Sequence, residues 1–135
     1  MLTDGAGVPL ALAVDGANRH DKKLVGRTLN NLAVIRPARR KQNMCMDKGY
    51  DYPDVRELVA KWGYTARIVA RGEERHAQER VPGYRARRWV VERTHSWFNR
   101  FRRLLIRWEK KVADYTAMLH LACAYITLRA AEVMG

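Results

Sequence analysis

The sequence predicts an α/β domain in which a partly parallel sheet lies between helices, with elements in the order ββαβαβαα. Short apolar runs alternate with amphipathic helical patterns, which is typical of three-layer α/β domains. The chain has 135 residues, the length of one domain with a single core. Since neither an internal repeat nor a low-complexity tract interrupts this order, we expect one domain over residues 1–135.

The first predicted elements are a hairpin and a helix. The Asp-Gly step at Asp4 is a strong turn signal inside residues 2–14, where VPLALAV supplies an apolar strand. A second Asp-Gly step follows at Asp15, and we interpret both aspartates as turn formers. Apolar residues then recur on one face over about residues 21–33, which predicts a helix that starts near Asp21.

Two further strands flank a helix with clear boundary signals. The run NMCMD predicts a short buried strand that ends on Asp47. Asp51 is the expected N-cap of the next helix, which has proline in its first turn and Gly63 as its stop. The run YTARIVA (64–70) predicts the next strand, and the mixed charges of residues 71–83 predict a loop.

Two helices are expected to complete the domain, over about 85–111 and 113–133. The first has an apolar stripe at spacings of three and four residues. This stripe consists of Val90, Thr94, Trp97, Phe101, Leu104 and Trp108, with Val91, Phe98 and Leu105 beside it. The second is apolar over most of its circumference, and its most apolar part (117–128) is too short to span a bilayer.

The charge of the chain favours a polyanionic partner. Lys and Arg number 26 against 14 Asp and Glu, which gives a net charge of +12. Such an excess costs the folded state self-repulsion, so nucleic acid is the first candidate partner, a membrane surface the second and other acidic molecules the third. Cys45 and Cys123 have no metal-binding spacing, and we expect two buried thiols in a reducing cytoplasm.

Glu92 is the only acidic residue in the basic run RRWVVERTHSWFNRFRR (87–103). On a helical wheel it lies opposite the apolar stripe. The residues that share its polar face are Arg85, Arg88, Ser96, Asn99 and Arg103, with His95 at the margin. Two interpretations remain open from this geometry: a surface salt bridge with Arg88, or a functional carboxylate.

Asp47 is a second candidate, because it follows an apolar strand and precedes a glycine turn. Ligands of open α/β sheets bind outside the carboxyl ends of strands, although an Asp here could instead bond its own turn. Magnesium prefers one or two carboxylates together with substrate phosphates. Two such ions, about 3.5–4 Å apart, serve phosphodiester chemistry, for which Asp47 and Glu92 would be suitable ligands.

The segments RWVVERTHSWFNRFRRLLIRWEK, CMDKGYDYPDV and PLALAVDGANRHD closely resemble, in this order, bacterial DDE transposases of the group named after insertion sequence five. The resemblance covers essentially the whole chain and is most specific around Glu92. It implies a ribonuclease H-like fold in which two aspartates and one glutamate hold two magnesium ions. Such proteins cut at the ends of their element and join the freed 3′-hydroxyls to target DNA.

By this resemblance, Asp47 matches the second acidic position and Glu92 the third, so both are the expected catalytic and metal-binding residues, with Mg2+ or Mn2+ as cofactor. The family's first Asp lies on a strand upstream of the hairpin with which this chain starts. We therefore expect a truncated catalytic domain that lacks its first strand and a separate DNA-binding domain. Its two-metal site would be complete only with the missing Asp, so the chain alone is expected to be inactive or nearly so.

The resemblance also implies DNA contacts around Glu92. Related transposases place Tyr, Arg, Glu and Lys there, and Arg88 fits the Arg position, whereas Tyr84 is one residue early and Asn99 replaces the Lys. The expected DNA-binding residues are Lys48, Arg85, Arg88, Arg93, His95, Asn99, Arg100 and Arg103. A solvated basic face is the alternative for this set, and we expect Trp97 and Phe101 to pack in the core rather than stack on bases.

The resulting hypothesis is a bacterial transposase catalytic fragment that works in the cytoplasm at the nucleoid. Its partners would be insertion-sequence ends and target DNA, with a second copy or a full-length transposase as candidate protein partners and no membrane. The alternative is a noncatalytic DNA-binding or inhibitory remnant that docks on DNA or on full-length transposase. A ribonuclease H-like nuclease with an RNA or hybrid substrate is a third hypothesis, which rests on the expected fold alone.

Overall fold

A computed structural model describes residues 1–35, 37, 41–68 and 88–134 of the chain. The chain divides into two compact units. The terminal unit comprises Met1–Val14 and Arg88–Gly135, and the central unit comprises Asp15–Arg87. The loop predicted over 71–83 lies outside the described residues, as does most of the basic segment 36–41.

Among the described residues, the elements follow the predicted order up to the C-terminal helices. In chain order they are β1 (Leu2–Thr3), β2 (Pro9–Ala11), α1 (Leu24–Asn30), β3 (Gln42–Met46), α2 (Pro53–Lys61), β4 (Tyr64–Ile68), α3 (Arg88–Phe98), α4 (Arg102–Leu105) and α5 (Val112–Met134). The mixed α/β class is confirmed. Within the described residues the strands form two separate two-stranded sheets, so the three-layer ribonuclease H-like arrangement stays a prediction.

The terminal unit contains the predicted hairpin. Strand β1 pairs with β2 in antiparallel orientation. The Asp4 carboxylate accepts the backbone N–H of Ala6 and of Val8, both at 2.8 Å, and so closes the turn. The interpretation of Asp4 as a turn former is therefore confirmed.

The central unit contains a parallel strand pair covered by α2. Strand β3 pairs with β4 in parallel, with Met44 opposite Ala66, as a partly parallel sheet requires. Helix α2 buries Val55 and Val59 on its inner face. It ends before Gly63, whose φ of +78° lies in the left-handed region that favours glycine, and this predicted stop is confirmed.

The predicted N-cap of α2 is wrong. The N-cap position belongs to Tyr52, and Pro53 is the first helical residue. The Asp51 carboxylate does not cap the helix, because it is paired with the side chains of Lys48 and Arg56. Two charged partners offer a carboxylate stronger hydrogen bonds than a neutral backbone amide does.

The single helix predicted over 85–111 is also wrong in its extent. Helix α3 ends at Phe98, and a short helix restarts at Arg102. Continuing the helix would have stacked Arg100, Arg103 and Arg107 at spacings of three and four residues, where like charges repel. The break lets Phe101 contact the Tyr125 ring of α5 edge-on, with 5.8 Å between ring centroids.

The core of the terminal unit lies where α3 meets α5. Phe98, Ala122 and Ile126 form a buried cluster. Trp97 and Phe101 pack against it together with Leu104 and Cys123, so the predicted core role of these two aromatic residues is confirmed. Trp108 was expected on the same stripe, but it is 68% exposed because the helix has already ended.

Helix α5 buries only one narrow face. Leu121, Tyr125 and Leu128 on its other side are exposed, although the sequence predicts an apolar helix. Within the described residues, no helix is long and apolar enough to cross a membrane.

Candidate functional site

Asp47 follows the last residue of β3, at the carboxyl end of the parallel strand pair of the central unit. Its backbone is extended (φ −68°, ψ 157°), and a 3-10 turn, Lys48–Tyr50, begins directly after it. The backbone carbonyl of Asp47 closes this turn by accepting the Tyr50 N–H at 2.9 Å. The side chain accepts no capping hydrogen bond from this 3-10 turn, and both interpretations of Asp47, as a ligand and as a turn residue, stay open. It is exposed at the strand end, where ligands of α/β sheets bind.

The phenol of Tyr50 lies within electrostatic range of both Asp47 and Asp21. Burial raises the pKa of the half-buried Tyr50 hydroxyl, and the negative charges of Asp21 and then Asp47 raise it further. Both carboxylates therefore lie near this ring. Asp21 begins a 3-10 turn, Asp21–Lys23, in agreement with its predicted role as a helix-start residue. The side chain that caps this turn belongs to His20, whose Nδ1 accepts the Lys22 N–H at 3.3 Å.

Lys48, an expected DNA contact, is bound to a carboxylate in this structure. Its ammonium pairs with Asp51, and the Arg56 guanidinium contacts the other oxygen of that carboxylate at 2.7 Å. The hydrogen bond from Lys48, and then that from Arg56, holds the pKa of Asp51 below its usual value. The positive charge next to Asp47 is thus already partly neutralised, although the Lys48 ammonium has further donors for a phosphate.

Glu92 lies on the outer face of α3 in the terminal unit. Val90, Thr94 and Phe98 form the buried seam of this helix at spacings of four residues. Glu92 is two residues from Thr94 and is exposed, as the wheel predicted. Its carboxylate forms no ion pair with any described side chain. The side chain of Arg88, the partner in the salt-bridge interpretation, lies outside the described residues, so that alternative stays open.

The expected DNA-binding residues of this region are placed differently from the prediction. Arg93 and His95 are exposed residues of α3, whereas Asn99 and Arg100 lie in the turn after it. Arg103 lies on α4. The continuous polar face predicted for Glu92, Asn99 and Arg103 is therefore wrong, because the helix ends at Phe98. Arg85 lies outside the described residues.

Two of these arginines have partners within the terminal unit. The Arg93 guanidinium lies 4.3 Å from the centroid of the Trp89 ring and donates to the Ala6 carbonyl at 3.3 Å. The Arg103 Nε lies 3.3 Å from Oε1 of Glu109, whose side chain is only 10% exposed. His95, Asn99 and Arg100 form no side-chain hydrogen bond or ion pair with another described residue. They are the members of the set whose polar groups are most available to a ligand.

Sequence reasoning missed the role of Thr94. The apolar spacing includes this residue in the buried stripe, but the pattern gives no partner for its hydroxyl. The structure buries Thr94 completely, with its Oγ1 donating to the Gly7 carbonyl at 2.6 Å. A polar residue at a buried position of an apolar stripe is the signal that could have found it, since buried hydroxyls find hydrogen-bond partners.

The two predicted ligands have the donor chemistry that magnesium requires. Both are exposed carboxylates, which are hard oxygen donors. Within residues 1–35, 37, 41–68 and 88–134, no three His, Cys, Asp or Glu side chains converge as a metal site. Asp4 is engaged in its hairpin turn, and Asp15 accepts the Gly16 N–H and pairs with Arg27 at 2.9 Å. Both carboxylates thus have partners of their own in this structure.

Comparison with known proteins connects the chain to a family. The family model described as the transposase DDE domain matches residues 1–127. The proposed transposase of insertion sequence element IS402 from Burkholderia cepacia is 34% identical over 140 aligned residues. The alignment covers 98% of this chain and 64% of that relative, so the chain spans just under two thirds of the relative's length. No solved structure matches the chain.

Proposed function

This chain belongs to the bacterial transposases with a DDE domain, and we propose that it acts on DNA in transposition through the carboxylates of Asp47 and Glu92. In this proposal the fold is ribonuclease H-like and the family branch is the insertion-sequence-five group. The partners are insertion-sequence ends and target DNA, at the bacterial nucleoid. The reaction is the cleavage of DNA strands and the transfer of their 3′ ends to a target.

The observation that carries this proposal is the position of Glu92. A helix in a chain of net charge +12 keeps one acid on its outer face, opposite a seam formed by Val90, Thr94 and Phe98. Packing does not explain this acid, because its side chain contributes nothing to the seam. An exposed carboxylate on a rigid helix that is held by its other face is suited to bind a ligand from solution.

Asp47 supports the proposal from the other unit. It stands at the carboxyl end of a parallel strand, is exposed, and does not cap the turn that follows it. Side chains at this end of α/β strands meet ligands, and the turn with Gly49 leaves room for a close approach, since a Cβ built there would touch nothing within 4 Å. An exposed carboxylate at this end of a parallel strand is therefore suited to meet a ligand.

Asp47 and Glu92 would hold Mg2+ or Mn2+, as DDE transposases in general use divalent metal ions. The bound metal would supply charge stabilisation to the phosphoryl group under attack. The described residues provide these two exposed carboxylates and no three-ligand cluster. We therefore propose that the chain alone binds metal weakly, and that it cleaves DNA slowly or not at all without a further carboxylate.

The basic residues near Glu92 would bind DNA phosphates. His95, Asn99 and Arg100 have polar groups open to a ligand, and Arg103 could exchange Glu109 for a phosphate. Each arginine that neutralises one phosphate would add about 0.9 to the slope of log affinity against log salt. Phosphate contacts carry no sequence information, so they would position the DNA rather than select it.

A binding titration with and without metal tests the proposal. Fluorescence anisotropy of a labelled duplex would be followed between roughly 50 and 200 mM salt, where contacts of this kind lose most of their affinity. We expect Mn2+ to tighten binding by wild-type chain, because the ion bridges carboxylate and phosphate. In Glu92→Gln and Asp47→Asn, binding in EDTA should be tighter than in wild type, since a negative charge is gone, and the gain from Mn2+ should be lost.

Glu57→Gln is the matched control, because it removes an exposed helical carboxylate of the central unit that is not a candidate ligand. It should retain the response to Mn2+. A response that is equal in wild type and Glu92→Gln contradicts the metal role of Glu92.

Noncatalytic DNA binding is the second candidate function, and the lack of a three-ligand metal cluster among the described residues favours it. It predicts steep salt dependence, no response to Mn2+ in any variant, and no cleavage of the labelled strand. Affinity that does not change with salt contradicts both candidates.

A further inference from the structure

The turn of the β1–β2 hairpin is hydrogen-bonded to α3 directly beside Glu92. The Ala6 carbonyl accepts from Nη1 of Arg93 at 3.3 Å, and the Gly7 carbonyl accepts from Oγ1 of Thr94 at 2.6 Å. Two consecutive carbonyls thus meet two consecutive side chains, and those side chains belong to the two residues that follow Glu92. All of these groups lie within the terminal unit.

The hairpin turn presents these carbonyls because its amides are bound on its own side. The Asp4 carboxylate accepts the N–H groups of Ala6 and Val8, and the Asp4 carbonyl accepts the N–H of Gly7 at 3.2 Å. Gly7 has a φ of +88°, a left-handed conformation that few other residues adopt. A turn fixed in this way has little freedom to follow α3 if the helix moves.

Gly7 also lies close to the helix backbone. A Cβ at this position would lie 3.2 Å from Oγ1 of Thr94 and 3.3 Å from the carbonyl of Val90. The absence of a side chain therefore allows the short hydrogen bond to Thr94. The hydroxyl has one proton, and the Val90 carbonyl at 3.1 Å is its weaker alternative acceptor.

The hydrogen bond that Thr94 donates fixes the rotation of α3 about its axis, which the apolar seam alone does not. Val90 and Phe98, one turn before and one turn after Thr94, are buried by apolar contacts that tolerate small rotations or shifts of the helix. A hydrogen bond of 2.6 Å weakens steeply when its angle or length changes. Glu92 is two residues from Thr94, about 200° around the helix and about 3 Å along it. Holding Thr94 inward therefore fixes where Glu92 points.

Arg93 provides a second attachment on the exposed side. Its guanidinium lies over the Trp89 ring at 4.3 Å and 5.9 Å from the Trp97 centroid, one turn away in each direction. The ring contacts hold the guanidinium near the Ala6 carbonyl. The two residues after Glu92 are therefore both hydrogen-bonded to the hairpin turn, Arg93 on the exposed side and Thr94 on the buried side.

We propose that Thr94, with Gly7 as its acceptor, is a positioning residue that sets the orientation of the Glu92 carboxylate toward a divalent metal ion and DNA. This inference rests on the proposed metal role of Glu92. The hairpin turn, 87 residues away in sequence, would act on the site only through α3.

The test compares two variants of Thr94 in the full chain. Thr94→Val keeps the shape and removes the hydroxyl, whereas Thr94→Ser keeps the hydroxyl. Mn2+ affinity would be measured in the presence of duplex DNA from the electron paramagnetic resonance signal of free Mn2+. We expect Thr94→Val to weaken Mn2+ affinity about tenfold, as loss of a group that orients a metal ligand typically does. Because Thr94→Ser retains the hydroxyl, its Mn2+ affinity should stay within about twofold of wild type.

Controls separate positioning from general damage and from failure of the proposed function. Thr116→Val removes a hydroxyl that bonds only to its own helix, at the Val112 carbonyl, and should leave Mn2+ affinity unchanged. Backbone amide exchange at residues 92–95 should become faster in Thr94→Val than in Thr116→Val. Unchanged Mn2+ affinity in Glu92→Gln would refute the metal role itself, whereas weakened affinity there with unchanged affinity in Thr94→Val would refute the positioning role alone.

Arg93→Gln decides the matter if Thr94→Val does not fold. This exposed substitution removes the second attachment and a positive charge. Measured without DNA, loss of the charge alone should strengthen Mn2+ binding, so a weakening of several-fold supports positioning, whereas unchanged or stronger binding contradicts it.

Discussion

Replacing Gly7 by alanine adds only one methyl group, but it should destabilise the terminal unit strongly. The φ of +88° places a Cβ in the left-handed region, which costs about 1–2 kcal/mol. The same Cβ would lie 3.2 Å from Oγ1 of the fully buried Thr94 and 3.3 Å from the Val90 carbonyl. Relieving this crowding adds about 1–2 kcal/mol, and the stiffer unfolded chain returns about 0.5 kcal/mol. The net loss of unfolding free energy should be about 1.5–3.5 kcal/mol.

Urea unfolding followed by circular dichroism measures this loss, with Gly26→Ala as the control. Gly26 lies inside α1, and a Cβ there would meet only Leu58 Cδ2 at an ordinary 3.6 Å. Because glycine weakens a helix interior, Gly26→Ala should stabilise the chain by about 0.5–1 kcal/mol. The two Gly→Ala changes therefore have opposite signs. A Gly7→Ala variant as stable as wild type would refute the close contact between the hairpin turn and α3.

Three further predictions concern the core, an ion pair and the thiols. Val59→Ala should lower the unfolding free energy by about 2 kcal/mol, as measured by urea titration. Val59 is 0% exposed, so the substitution removes two buried methyl groups and leaves a cavity. The lowered folded-state pKa of Asp51 means that its ion pairs stabilise the fold above its ordinary pKa of 3.8 and are lost as pH falls through the folded value. Asp51→Asn should therefore reduce the loss of stability on acidification, as measured by thermal unfolding at successive pH values. The expectation of two buried thiols is wrong for Cys45, which is exposed, whereas burial raises the pKa of Cys123. Iodoacetamide should therefore label Cys45 first, as peptide mass spectrometry would show.

Local signals were sufficient for much of the fold. An Asp-Gly step gives the first hairpin because its aspartate can bond the amides that follow it, as Asp4 does. The boundary signals of α2 gave Pro53 at its start and Gly63 at its stop, since both act through their own backbone conformation. The exposed position of Glu92 followed from helical spacing alone.

The sequence prediction failed where a side chain has a partner that local patterns do not reveal. Some of these partners are distant in sequence, and others are basic residues a few positions away. The end of α3 at Phe98 depends on the packing of Phe101 against α5, which no local pattern encodes. Asp51 has the ordinary signature of an N-cap, but two basic side chains compete for it. The hydroxyl of Thr94 has its acceptor 87 residues away, so its role became visible only in the folded chain.

The metal role of Glu92 can be measured directly by nuclear magnetic resonance with Mn2+, whose unpaired electrons broaden signals of nearby nuclei. Amide spectra of the full chain with duplex DNA would be recorded as Mn2+ is added, for wild type, Glu92→Gln and Glu57→Gln. We predict that broadening begins at the amides next to Asp47 and Glu92, and that Glu92→Gln shifts it to higher Mn2+ concentration at both sites while Glu57→Gln changes neither. Broadening that is spread over the exposed acids of the chain, or that occurs at the same Mn2+ concentration in Glu92→Gln and wild type, would contradict the proposed function.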